Sequence, residues 1–382
     1  MSALRKGGRA RRRRANRTPV ARRPADRSGG TAPQLGGTAV RFGGTAVRFG
    51  GIGDEAAPDL AGQLDALEQL GWRELELRTV DGVWIADMPA RQVTALARTL
   101  RRRGVRVCGI ASRVGNWASD ITDDHRREDL ELEALALRAA VLGTTRIRVM
   151  SYPNGTGLPE PEWRRRVLAR LRGVAAGAHR GGRLALHENC AGWAGSSAEK
   201  ALDLIASLDS PGLRLLHDTG NGIAYGYDGF ELLRRTAGHV DHVHIKDAVG
   251  GGPDTRYVLP GAGDARLAES LRLLTARGWR GVWSLEPHLA TRPHEGLAAD
   301  GRTDSGFVAA GRALTALVER EVLPHSPGWR LVPGGLAQDL PTPRPASRPA
   351  PRPASRPAGA DAGARAGTDE RAAREEAVTD AR

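Results

Sequence analysis

A chain of 382 residues has room for one large or two ordinary domains, and its net charge of +13 would suggest a nucleic-acid partner if it were spread over a folded surface. It is not: residues 1–45 carry a net +11 and residues 334–382 a net +1, which leaves +1 for residues 46–333. Two cysteines, Cys108 and Cys190, give no disulfide framework, and no run of about 18 apolar residues could span a membrane. The basic N-terminus has no apolar stretch behind it, so it does not read as a secretory signal, and the expected location is cytoplasmic.

In chain order, residues 1–45 are rich in Arg, Gly, Pro and Ala without hydrophobic periodicity and are expected to be disordered. Their Arg run at 11–14 reads as a solvated extension, or as a start placed too far upstream, rather than as a nucleic-acid-binding arm. The heptapeptide GTAVRFG occurs at 37–43 and again at 44–50, and only one copy can form a first strand. Strand-like runs follow at about 46–53, 73–79, 105–113, 146–152, 183–189, 213–219, 240–247 and 281–287. Between them lie segments with apolar spacing of three and four, such as LAGQLDALEQLG from Leu60, many ending at glycines suited to a left-handed cap. Eight alternating units over residues 46–333 predict an α/β fold, a single (β/α)8 barrel with disordered tails on either side. A doubly wound open sheet is the alternative, and it lacks the Gly-x-Gly-x-x-Gly turn after the first strand. The last segment, 334–382, repeats PRPASRPA at 343–350 and 351–358 and is expected to be a disordered tail with polyproline II character.

Four of the predicted strands end on an ionisable residue: Glu188 in LALHEN, Asp218 in LRLLHDTGN, His244 in VDHVHIKD and Glu286 in GVWSLEPH. Singly, each has an ordinary explanation as a helix cap or a satisfied polar group. Together, on consecutive strands whose ends converge in a parallel barrel, three carboxylates and an imidazole form a donor set for one hard or borderline divalent cation. Strand alternation places His242, His244 and Lys246 on one face, and Ser284, Glu286 and His288 on one face of the next strand. Glu76 and Arg78 end the second strand; Arg113, Asn116 and Trp117 follow the third, and together with Trp193 they read as candidates for a substrate shell. Loop packing is the ordinary alternative for each.

HEN at 187–189, HDTGN at 217–221, HVHIKD at 242–247, Gly261-x-Gly263 and SLEPH at 284–288 resemble the sugar phosphate isomerase/epimerase family of xylose-isomerase-like TIM barrels. The resemblance covers about residues 46–325. It implies that Glu188, Asp218, His244 and Glu286 bind one divalent cation, Mn²⁺, Mg²⁺, Co²⁺ or Zn²⁺. It also implies that Glu188 and Glu286 remove and return a proton next to a carbonyl, through a metal-stabilised enediolate of a small sugar-like substrate. Lys246, Asn221, His242, His288, Arg78, Arg113 and Asn116 are the expected substrate contacts.

Two departures matter. Ketose 3-epimerases of this group have His where this chain has Asn221, and Arg where it has Gly250. The His-Ile-Lys-Asp form looks more like the inosose dehydratases and the hydroxypyruvate-isomerase-like members, and a lyase using the same site is the alternative reaction. Apurinic endonucleases share the barrel but need further histidines on strands two and three, where this chain has Arg78 and Ser112–Arg113. Nucleic acid and membrane are therefore not expected partners, and a homo-oligomer is compatible with the sequence.

Overall fold

The computed structural model describes residues 45–297 and 305–339; the first GTAVRFG copy, the N-terminal arm before residue 45 and the chain beyond residue 339 lie outside the described residues. The second GTAVRFG copy opens β1 (Thr45–Ile52). It is followed by β2 (Glu74–Leu77), β3 (Arg106–Ala111), β4 (Arg146–Ser151), β5 (Leu184–Gly192), β6 (Leu213–Asp218), β7 (Val240–Ile245) and β8 (Gly281–Leu285). Each pairs with the next in parallel, and β8 returns to β1 in the register Val47 with Gly281 through Gly51 with Leu285. The closed eight-stranded parallel barrel is therefore the one the alternation predicts, and the open-sheet alternative is excluded.

Helices pack outside it because their apolar residues recur on one face. In α2 (Ala90–Arg103) the buried residues are Val93, Leu96, Ala97 and Leu100, while Arg101, Arg102 and Arg103 complement the last turn. The others are α1 (Leu60–Gln69), α3 (Arg126–Leu142), α4 (Glu160–Arg180), α5 (Ala198–Leu208), α6 (Gly229–Thr236), α7 (Leu267–Ala276) and α8 (Phe307–Leu317). Asp59, Ser197 and Asp228 begin α1, α5 and α6 by accepting a first-turn N–H. Between β1, β8 and α1, Phe49 stacks on Trp283 and meets Trp72 edge-on, with centroids 5.7 and 5.8 Å apart.

One expected boundary is wrong. Residues 334–339 do not belong to a disordered tail, because β9 (Trp329–Val332) and β10 (Gly335–Gln338) form a hairpin turned at Pro333–Gly334. β10 pairs antiparallel with Thr45–Arg48, the part of β1 that precedes its pairing with β2. The hairpin thus covers an edge that would otherwise be open, and Leu336 is fully buried against it.

Candidate metal centre and active-site cavity

Glu188 lies within β5, Asp218 ends β6, His244 lies on β7 and Glu286 follows β8 directly. Asp218 and His244 are paired in register across β6 and β7, and His244 pairs with Ser284 of β8. Each of the four offers one ligand atom within 4.8 Å of the others, and all four are buried. His244 Nδ1 is 3.1 Å from Glu286 Oε2, 3.5 Å from Glu188 Oε1 and 3.9 Å from Asp218 Oδ2.

The remaining atoms of these groups are used to aim them. Asp218 Oδ1 accepts the N–H groups of Gly220 and Asn221 at 2.8 Å each, and Asp218 itself is held through its backbone by Asn189. Arg78 donates to Glu286 Oε1 at 3.2 Å, and Arg148 to Glu188 Oε2 at 2.8 Å. Asn221 donates to Glu188 Oε1 at 3.3 Å. Asp218 Oδ2, His244 Nδ1 and Glu286 Oε2 are left buried with no hydrogen-bond partner. Buried polar atoms are rarely left so, and three of them turned toward one point suit a divalent cation with oxygen and imidazole ligands.

Lys246 Nζ is 3.0 Å from both Asp218 Oδ2 and Glu286 Oε2, as a charge contact rather than an aligned hydrogen bond, and donates to Asn221 Oδ1 at 3.3 Å. Gly220 makes room for it: a Cβ there would lie 2.7 Å from Lys246 Cγ. The charges shift one another strongly. Burial would raise the Glu188 carboxyl, but Arg148 and His244 hold it down at about 2. Burial likewise opposes ionisation of Glu286, and Lys246, His288 and His244 bring it well below the usual range. Asp218 goes the other way, raised by burial and then by Glu286 and Glu188 against the pull of Lys246.

Glu188, Asn221, Lys246, Glu286, His288, Arg113, Asn116 and Arg148 line one cavity of ≈ 250 Å³ above these atoms. Trp84, Trp117, Tyr225 and Tyr257 supply its aromatic walls. Arg113 sits 5.0 Å over the Trp84 ring and pairs with Asp87 and Glu131, so its orientation is fixed from below. His288, at φ +51°, is 2.9 Å from Glu55 through Nδ1 and stacks edge-on to Tyr257.

Two expected substrate contacts, and one aromatic residue read as a candidate for the shell, are elsewhere. His242 does not reach the cavity: it is buried beneath it with Nε2 2.8 Å from Glu76 Oε2, because its place on β7 is one pleat below His244. Arg78 is buried as a clamp on Asp54, Glu55 and Glu286, so its fork is already occupied. Trp193 is buried with its ring N–H donated to Glu160, away from the cavity.

Sequence reasoning missed Arg148, Asp54 and Glu55 altogether. The available signal for Arg148 was a charge inside the apolar run Ile147–Met150; for the two acids it was their place just after β1, where Gly53–Glu55 form a buried turn. Asp247, read with the strand-seven motif, is structural: it accepts the N–H groups of Ala248, Gly261, Gly263 and Ala265 and so gathers the Gly261-x-Gly263 loop.

Among the described residues no helix is long and apolar enough to cross a membrane. No curated protein matches the chain in sequence. Solved structures do match its fold. The probable 3-DHS dehydratase AsbF of Bacillus anthracis superposes with TM-score 0.57 at 14% identity, over 70% of this chain and 98% of that one. The 3-keto-D-glucoside 4-epimerase YcjR of E. coli superposes with TM-score 0.56 at 15% identity, over 72% and 99%. IOLI protein, solved with a bound zinc atom, superposes with TM-score 0.56 at 16% identity, again over 72% and 99%. At such identities these likenesses establish the fold alone. Residues 64–303 match the profile of the xylose isomerase-like TIM barrel, and the chain belongs to that family.

Proposed function

We propose that this chain is a divalent-cation-dependent isomerase or epimerase that moves a proton next to a carbonyl in a sugar-like keto or hydroxy compound. The observation that carries the reading is the convergence of Glu188, Asp218, His244 and Glu286, three of them with an unpartnered buried atom, next to a polar and aromatic cavity that Glu188 and Glu286 line. A cation held by these four would polarise the substrate carbonyl. The zinc-bound relative with this fold is consistent with a divalent ion.

The chain's own residues then account for the proton. Glu188 is kept ionised by Arg148 and aligned by Asn221, which suits it to take a proton from the substrate carbon. Glu286, gripped through Oε1 by Arg78, presents Oε2 to the cavity floor; to complete an inversion it must first take up a proton from solvent or a substrate hydroxyl, which it then delivers to the opposite face while Glu188 keeps the one it removed. Lys246 places an ammonium beside the position where negative charge develops on the substrate oxygen. The aromatic walls offer apolar faces to sugar C–H groups, while Asn116 and Arg113 provide polar contacts at the rim.

A second reading, a lyase that expels a β-hydroxyl as water after the same proton abstraction, is favoured by one local feature. Gly250, where free-ketose epimerases carry Arg, has φ +89°, and a Cβ there would lie 2.5 Å from Asp254 O. An arginine would force that loop to rebuild. A dehydratase is also among the proteins with this fold.

Incubation of the metal-loaded protein with keto-sugars and inososes in D₂O separates the readings. Solvent deuterium entering a product of otherwise unchanged mass supports the isomerase. Loss of water with a new ultraviolet-absorbing enone supports the lyase. No exchange with either class counts against both.

A further inference from the structure

One buried carboxylate is not needed for any step above. Glu76, on β2, is 1% exposed and lies under the candidate centre. Its two oxygens are 3.0 and 3.1 Å from His244 Nε2, and Oε2 is also 2.8 Å from His242 Nε2. The two imidazoles stand edge-to-face, 5.5 Å apart. Glu76 thus lies between two imidazole Nε2 atoms, each within hydrogen-bond distance of Oε2. An ionised carboxylate only accepts hydrogen bonds, so both imidazoles must donate to it from Nε2.

That requirement has a consequence at the other ring nitrogen. A neutral His244 that carries its hydrogen on Nε2 has its lone pair on Nδ1, and Nδ1 is the unpartnered atom turned toward Glu188, Asp218 and Glu286. We propose that Glu76 is a positioning residue, which fixes the tautomer and ring plane of His244 so that Nδ1 is presented as a ligand. His242 completes the arrangement by sharing the same carboxylate, which holds Glu76 in place below the cavity. The two strands involved, β2 and β7, are separated by β1 and β8, so the contact crosses the barrel interior rather than passing between neighbouring strands. The inference rests on the reading of the four strand-end residues as cation ligands.

The test compares the dissociation constant for Mn²⁺ and Zn²⁺ in the full chain, wild type, Glu76→Gln and Glu76→Asp, by calorimetric titration. Glu76→Gln keeps the shape but offers one acceptor oxygen and an amide donor in place of a charged pair of acceptor oxygens. Glu76→Asp keeps the charge but withdraws it by one methylene. Both variants should bind the cation about 10- to 100-fold more weakly, with a shifted Co²⁺ absorption spectrum and with melting in EDTA close to wild type. Weakening in Glu76→Gln alone would reduce Glu76 to a distant charge and overturn the proposal. So would unchanged affinity in both, or weakening matched by an equal loss of metal-free stability. Wild-type protein that takes up no cation would instead defeat the underlying reading of the centre, and is thus distinguishable.

Discussion

Residue by residue, the centre divides into candidate ligands, candidate proton carriers and groups that aim them. Glu286→Gln keeps the side chain's size and a single oxygen, which can serve either Arg78 or the cation, and it cannot carry a proton. It should retain cation binding within about tenfold and lose turnover by about 10²–10⁴-fold; turnover near wild type would remove Glu286 from the proton path. Lys246→Met removes an ammonium that stands 3.0 Å from two candidate ligand oxygens. It should therefore tighten cation binding while lowering kcat, a pair of opposite changes that titration and kinetics measure separately. The four strand-end residues were legible in the sequence because ionisable groups repeated at apolar strand ends demand a reason. Glu76 and Arg148 were harder to interpret: the partners of Glu76 lie on β7, which only the closed barrel brings to β2, and Arg148 meets Glu188 across two paired strands 40 residues apart in sequence.

At the scale of elements, the eight barrel strands were legible because each is a short β-branched and Leu-rich run between amphipathic helices. The closing hairpin was not. Its turn, Pro333–Gly334, sits where the composition shifts toward the Pro- and Ala-rich segment, and the short run Gly335–Gln338 has too little alternation to stand out. Its role depends on an unpaired stretch of β1 some 290 residues earlier, which no local pattern displays. Leu336→Ala, at a fully buried position, should cost about 2–5 kcal/mol of stability. Denaturant titration would read this as a lower midpoint, while cation affinity should stay the same because the hairpin lies at the opposite end of β1 from the cavity. His242 illustrates the same limit at shorter range: parity placed it correctly on the inner face of β7, but parity does not say how deep in the barrel a residue sits.

At the scale of the whole molecule, the barrel buries two histidines that the centre does not use. His187 and His217 lie in the layer between barrel and helices, and burial lowers them to about 4 and about 3. Both His217 nitrogens are without a hydrogen-bond partner. In the unfolded chain these groups take up protons near pH 6.5, whereas the folded chain takes them up only below about 4 and about 3. The unfolded state therefore binds more protons in that window, and stability contributed by their neutral burial is present above pH 6.5 and lost as pH falls toward 3. His217→Phe should flatten this decline and move the acid-unfolding midpoint downward, which circular dichroism across the range would show; an unchanged acid midpoint would contradict it.

The proposed chemistry needs Glu188, Asp218, His244 and Glu286 to hold one divalent ion. Elemental mass spectrometry of the full chain beside Asp218→Ala, after loading with Mn²⁺ or Co²⁺ and removal of free metal, tests it most directly. About one ion per chain is expected in the wild type, and its loss together with activity in Asp218→Ala. A content near three, or none retained by the wild type, would contradict it.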